Sequence, residues 1–141
     1  MGALFGEAVV ISNPVLMEDF RYIIKQHGGL LAKGRLLGVQ FDALMENDLY
    51  FEIAAHADRQ ADIIRAAFDA LKVSYLVPGV TNQIFPILPD AVLEELAKKY
   101  VFCEQERVDE THRAVRFCTS WATKPENVGE LVRDLHKLLR E

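Results

Sequence analysis

Apolar residues recur along this chain in two rhythms, and the rhythm changes near residue 73. Before that point spacings of three and four dominate. Between residues 49 and 72, Ile53, Ala57, Ala61, Ile64, Phe68 and Leu71 fall at such intervals, which places them on one face of a helix. Glu52, Asp58, Arg59, Asp62 and Asp69 fill the other face. Asn47-Asp48 offers a cap at its start. A helix of this length reaches across a small domain and can link two lobes. Upstream, residues 3 to 11 form a nearly continuous apolar run flanked by Gly2 and Gly6, which predicts a buried strand. Asn13-Pro14 then caps a helix over 15–26, with proline at its first position. Gly28-Gly29 ends it, and a second helical stretch runs over 30–45, weakened by Gly34 and Gly38.

After residue 73 the chain reads as strands and turns. Residues 73–77 are β-branched and aromatic, Pro78-Gly79 is a turn, and 82–88 is a second strand in which Pro86 indicates an edge or a bulge. Pro89-Asp90 opens a short helix through Leu93, Leu96, Ala97 and Tyr100. Residues 101–108 and 114–119 are two further strands around a polar turn at 109–113. Thr123-Lys124-Pro125-Glu126 fits a capping box. It introduces a last helix striped by Val128, Leu131, Val132, Leu135, Leu138 and Leu139. The order β-β-α-β-β-α, with short turns inside each strand pair, predicts antiparallel hairpins with helices on one face. The fold class is α/β: an α+β small domain over 73–141, a linking helix over 49–72, and a strand and helices over 1–48.

Composition narrows the function classes. The chain has 141 residues, 50% hydrophobic and 26% charged, with a net charge of -5. That balance suits a soluble globular domain and argues against a general nucleic-acid or anionic-membrane binder. The apolar stretches fall well short of the roughly 20 residues that span a bilayer, and the start carries no basic region of a signal peptide. Cys103 and Cys118 make no disulfide framework and share no metal-ligand spacing with His27, His56, His112 or His136. They read as reduced, half-buried strand residues of a cytoplasmic protein. No metal, nucleic-acid or membrane partner is expected.

Individual residues offer little chemistry by type alone. No Ser-His-Asp set or phosphate loop is present. Asn82 reads as ordering the turn before its strand, His56 as a packed helix histidine and Trp121 as a filler of the interface between lobes. Arg116 lies between Val115 and Phe117 and so projects alone from the other face of its strand. A guanidinium fork there suits either a bidentate carboxylate ligand or a bridge to a strand neighbour.

Three stretches carry a family resemblance: Gly2-Ala3-Leu4-Phe5-Gly6-Glu7-Ala8, Thr81-Asn82-Gln83-Ile84-Phe85-Pro86-Ile87-Leu88, and Arg116-Phe117-Cys118-Thr119-Ser120-Trp121-Ala122-Thr123. In that order the chain resembles the C-terminal part of the threonine aldolase and β-eliminating lyase family. These are pyridoxal-phosphate enzymes of the aspartate-aminotransferase fold. The resemblance implies the C-terminal portion of a pyridoxal-phosphate-dependent transferase fold, with residues 1–48 the remnant of a large cofactor-binding domain. It implies that the Schiff-base lysine lies one or two residues before Met1, so that no catalytic residue falls within the chain. The chain alone is then expected to be inactive. Lys72, Lys98, Lys99, Lys124 and Lys137 sit at helix ends or on polar faces, where lysines stay charged and are poor nucleophiles.

The resemblance further implies that Arg116 binds the α-carboxylate of an amino-acid substrate. It places Lys33 and Arg35 in the vicinity of the cofactor phosphate, often in a neighbouring subunit's site, with Lys33 in the better register. The glycines before them are fewer than in relatives and Leu30-Leu31 intervenes, so two solvated helix charges are an equal alternative. The implied reaction, most like that of low-specificity L-threonine aldolases, cleaves a β-hydroxy amino acid to glycine and an aldehyde. Exposed apolar faces left over residues 3–45 point to a homo-oligomer, or to a partly disordered stretch over the first 45 residues. The alternative is a stand-alone α+β binding or dimerisation module without catalysis.

Overall fold

The computed structural model describes residues 2–140, so the Met1 and Glu141 ends of the ranges above lie outside the described residues. The chain forms two compact units, divided between Tyr50 and Phe51. In the first, residues 2–12 adopt no strand, contrary to the expectation for 3–11. A strand needs a neighbour to take up its N–H and C=O groups, and no strand lies within residues 2–50. The backbone N–H groups of Leu4 and Phe5 instead donate to Gln40 Oε1 at 2.7 and 3.4 Å.

The capping expected at Asn13-Pro14 is present, but the helical segment it opens is shorter. Asn13 Oδ1 accepts from Val15 N at 3.0 Å and opens a single 3-10 turn, Pro14–Met17. Asp19 then takes a left-handed conformation (φ 53°), and α1 runs only over Phe20–Gln26. It ends as the glycine pair requires. Gly28 has φ +77°, its N–H bonds Lys25 O, and Gly29 N–H bonds Ile24 O at 2.8 Å, the two closing bonds of a Schellman cap. Helix α2 covers Arg35–Met45. Asn47 and Asp48 both have positive φ and turn the chain into the next helix.

The second unit carries a contiguous core. Helix α3, Leu49–Ala70, buries Ala57, Ala61, Ile64, Ala67 and Phe68 along the expected stripe. Strands β1 (Gln83–Ile84) and β2 (Ile87–Pro89) both pair antiparallel with β4 (His112–Cys118). Their partners, Ile84↔Phe117 and Ile87↔Ala114, share one unbroken register. The expected strand over 82–88 is therefore one extended run, interrupted where Pro86 has no N–H to give. Pro86 is neither at an edge nor at a bulge. Its carbonyl accepts from Val115 N at 3.1 Å, and Tyr75 bridges it from the other side. That bridge, with Leu76 N–Phe85 O and Ile87 N–Ser74 O at 2.9 Å, is what forms of the strand expected over 73–77. The bulge lies in β3, Cys103–Arg107, between Glu104 and Glu106 where it pairs with β4.

Helices α4 (Asp90–Ala97) and α5 (Pro125–Leu138) complete the unit. Ile84, Leu88, Val115 and Phe117 from the sheet cluster with Phe68 of α3, Leu93 and Leu96 of α4, and Val128, Leu131 and Leu135 of α5. The remaining sheet face, which bears Arg116, is left off this core. Two local expectations fail. Lys124, not Thr123, stands at the α5 N-cap, and it makes no side-chain cap bond. Thr123 Oγ1 is turned back to accept from Ser120 N at 2.8 Å. Both cysteines are free and exposed rather than half-buried, because each stands at a strand end on the face away from the helices. Among the described residues no helix is long and apolar enough to cross a membrane, and no cluster of metal-ligating side chains occurs.

Candidate functional site

Strand β4 alternates. Val115 and Phe117 turn into the core and are 1% and 5% exposed, so Arg116 between them projects from the opposite face. Cys103 of β3 pairs across from it, and the continuous β1–β2 register sets Phe85 on its other side. Arg116 is half-buried, its Nε is enclosed, and that nitrogen has no hydrogen-bond partner. Among the described residues it makes no ion pair either. Among the described residues three other arginines of this unit are ion-paired, whereas Arg59, Arg133 and Arg140 are not, and Arg65 also has a buried Nε without a partner. Arg113 Nε bonds Asp90 at 2.7 Å and its Nη1 bonds Glu104 at 2.9 Å; Arg107 also reaches Asp90, at 3.1 Å. Arg65 pairs with Asp62 and donates to Thr81 O. An enclosed guanidinium donor without an acceptor costs free energy, and an anionic ligand with two oxygens removes that cost.

Arg116 is carried on a well-fastened stretch. Thr119, 3% exposed, donates from Oγ1 to Ala57 O of α3 at 2.7 Å. Thr119 N bonds Asn82 O at 3.0 Å, and Asn82 Nδ2 bonds Thr119 O at 2.7 Å. Asn82 thus orders the approach to β1, in keeping with its position before that strand. His56 Nε2 donates to Thr123 O at 2.8 Å, which fastens the following loop to α3. Gln60, 6% exposed, keeps its Oε1 without a partner beside this region of the helix. Thr119 escaped sequence reasoning, since a threonine after a strand carries no signal of burial by itself; Gln60 was hidden within a helical stripe of alanines.

The other expected site residues belong to the chain's first unit. Lys33 stands in the turn before α2 and Arg35 is the first residue of that helix; both are exposed. Trp121 is 55% exposed on the surface of the second unit. Every lysine among the described residues is exposed. Lys99 is held charged: hydrogen bonds to Asp134 and Glu130, at 2.8 and 2.6 Å, push its pKa upward. Asp134 is held below the ordinary carboxylate range by Lys99 and by Tyr100, whose hydroxyl donates to it at 2.6 Å. Asp90 is lowered by Arg107 and Arg113. These groups tie α4 to α5 and to the strand pair.

No protein-family model matches the chain. It is 32% identical, over 98% of its length, to a low specificity L-threonine aldolase of Pseudomonas aeruginosa, and 31% identical to one of a Pseudomonas species. The chain spans about two fifths, 39%, of the length of these curated relatives. A solved structure of a Leishmania major threonine aldolase matches 92% of the chain and 38% of its own, with a TM-score of 0.82 and 37% identity. The match bears out the expected α/β class and the C-terminal portion of that fold.

Proposed function

Because the chain is related over nearly its whole length to the C-terminal part of the threonine aldolases, we propose that it supplies the carboxylate-binding side of a lyase site. The lyase would cleave β-hydroxy amino acids to glycine and an aldehyde. The observation that carries this reading is Arg116: half-buried, on a strand tied to α3 through Thr119, and without an ion-pair partner among the described residues. Its fork receives the substrate's α-carboxylate through two parallel hydrogen bonds. It thereby fixes the orientation of the bonds at the neighbouring carbon.

Pyridoxal phosphate, the cofactor this reading implies, does not fit the described residues by themselves. A lysine that bonds the cofactor is a desolvated amine of lowered pKa, and every lysine described here is exposed. The described residues therefore supply no lysine to bond the cofactor. In the same reading residues 1–48 belong with a cofactor-binding domain, 49–72 is the linking helix and 73–141 the small domain. Lys33 and Arg35 face the cofactor phosphate, and the assembled enzyme is a homo-oligomer acting on amino acids in the cytoplasm.

The test is the Arg116 Nε–H resonance of the 15N-labelled chain, assigned through Arg116→Lys and titrated with L-threonine and with 2-aminopropanol, which lacks the carboxylate. A saturable shift with the amino acid and none with the amino alcohol is expected. Equal responses, or none, would remove Arg116 from this role.

A further inference from the structure

Two thiols share the sheet face that bears Arg116. Cys103 of β3 stands directly opposite Arg116 on β4, and Cys118 lies two residues further along β4, opposite Gln83. Glu104 fixes which way β3 faces. It pairs with Val115 and reaches Arg113 Nη1 at 2.9 Å on the Val115 side, so Cys103, one residue earlier, turns to the side of Arg116. Directly opposed residues of an antiparallel pair have Cβ atoms about 5 Å apart. Both thiols are free and exposed. Arg116 supplies an independent half of the site: its Nε is enclosed without a partner, and it has no ion pair among the described residues.

A carboxylate held by the guanidinium fork leaves the rest of its molecule beside an open thiol. In the disulfide of an amino-acid thiol, of which cystine is the simplest, only the α and β carbons separate the carboxyl carbon from sulfur. One such ligand therefore reaches both Arg116 and Cys103. The Cys103 thiolate attacks the nearer ligand sulfur, and the ligand's S–S bond breaks as the new S–S bond forms. Cys103 ends oxidised, as a mixed disulfide. The other half of the ligand leaves reduced, as a free thiol that takes up the proton Cys103 gave up. The ligand itself is the oxidant. The half that stays keeps its carboxylate on Arg116, where the substrate's would bind, until another thiol reverses the exchange.

We infer that Cys103 is a carboxylate-directed thiolation site, at which Arg116 captures an amino-acid disulfide and Cys103 exchanges with it. This rests on the reading of Arg116 as a carboxylate ligand. The test treats the full chain with L-cystine or with L-cystine dimethyl ester, whose carboxylates are blocked. Mixed disulfides at Cys103 and Cys118 are followed by peptide mass spectrometry. Each rate is divided by that of the same cysteine in the urea-unfolded chain, which cancels the reagents' intrinsic reactivity. Folded Cys103 is expected to favour cystine over the ester about tenfold or more, and Cys118, opposite an uncharged glutamine, is not. Excess L-threonine and Arg116→Gln each abolish the preference. No preference at Cys103, an equal one at Cys118, or one that survives L-threonine or Arg116→Gln would overturn the site. If the Arg116 Nε–H resonance responds to L-threonine while Cys103 shows no preference, this inference alone fails; if neither responds, the carboxylate role of Arg116 fails with it.

Discussion

At the scale of single residues, Arg116 shows how far sequence alone reaches. Its position between Val115 and Phe117 assigns it to the strand face away from the core, and alternation on β4 puts it there. What sequence could not separate was a ligand-binding arginine from one bridged to a neighbour. That Arg116 makes no bridge to Asp90, Glu104 or Asp62 depends on where these stand in space: they are paired with Arg107, Arg113 and Arg65. Asp109 illustrates the same limit. It reads as a turn residue, yet its Oδ1 accepts from Thr111 N and His112 N at 2.7 and 2.8 Å. Chiefly through the Thr111 bond, its pKa is held down to about 2. The folded value lies below the ordinary carboxylate value of about 3.9. Its contribution to stability is therefore complete above about pH 4 and lost as pH falls toward 2. Asp109→Asn is expected to lower Tm at neutral pH and to flatten the fall of Tm between pH 4 and 2. A variant whose Tm falls as steeply as the parent's would contradict this.

At the scale of elements, the long periodic segments were legible and the short ones less so. Helices α3 and α5 follow their stripes because a wide apolar face has one burial solution against the sheet. Pro86 misled because an edge or a bulge is the common way to accommodate a missing N–H. Here the strand keeps its register and forgoes only the bond that the missing N–H would donate, while the Pro86 carbonyl still accepts from Val115 N. The capping box over 123–126 failed for a local reason: Thr123 Oγ1 is taken by Ser120 N, and Pro125 supplies the helix start. The element contact that matters most for Arg116 is Thr119 to α3. Thr119→Val keeps the shape but removes the donor to Ala57 O. Because the hydroxyl and its partner are buried, the loss is about 1–3 kcal/mol in urea unfolding. Thr119→Ser, which retains the hydroxyl, should recover most of it. If valine were neutral, the fastening of β4 to α3 would have no energetic weight.

At the scale of the whole molecule, the apolar run at 3–11 is the instructive miss. Its composition suits a buried strand, but Leu4 and Val10 are 90% and 92% exposed, and no neighbouring strand is available within residues 2–50. Apolar pattern specifies a strand only where a sheet exists to receive it. The curated relatives are about two and a half times as long as this chain, which spans 39% of each. The lyase reading accordingly asks for a larger assembly. The most direct measurement replaces the matching stretch of the Pseudomonas aeruginosa low specificity L-threonine aldolase with this chain and determines kcat/KM for L-threonine cleavage. The account predicts an active chimera whose kcat/KM falls about 10²-fold on Arg116→Ala, the loss of two charge-assisted hydrogen bonds worth about 3 kcal/mol together. A folded chimera that is inactive, or whose activity is unchanged by Arg116→Ala, would contradict it.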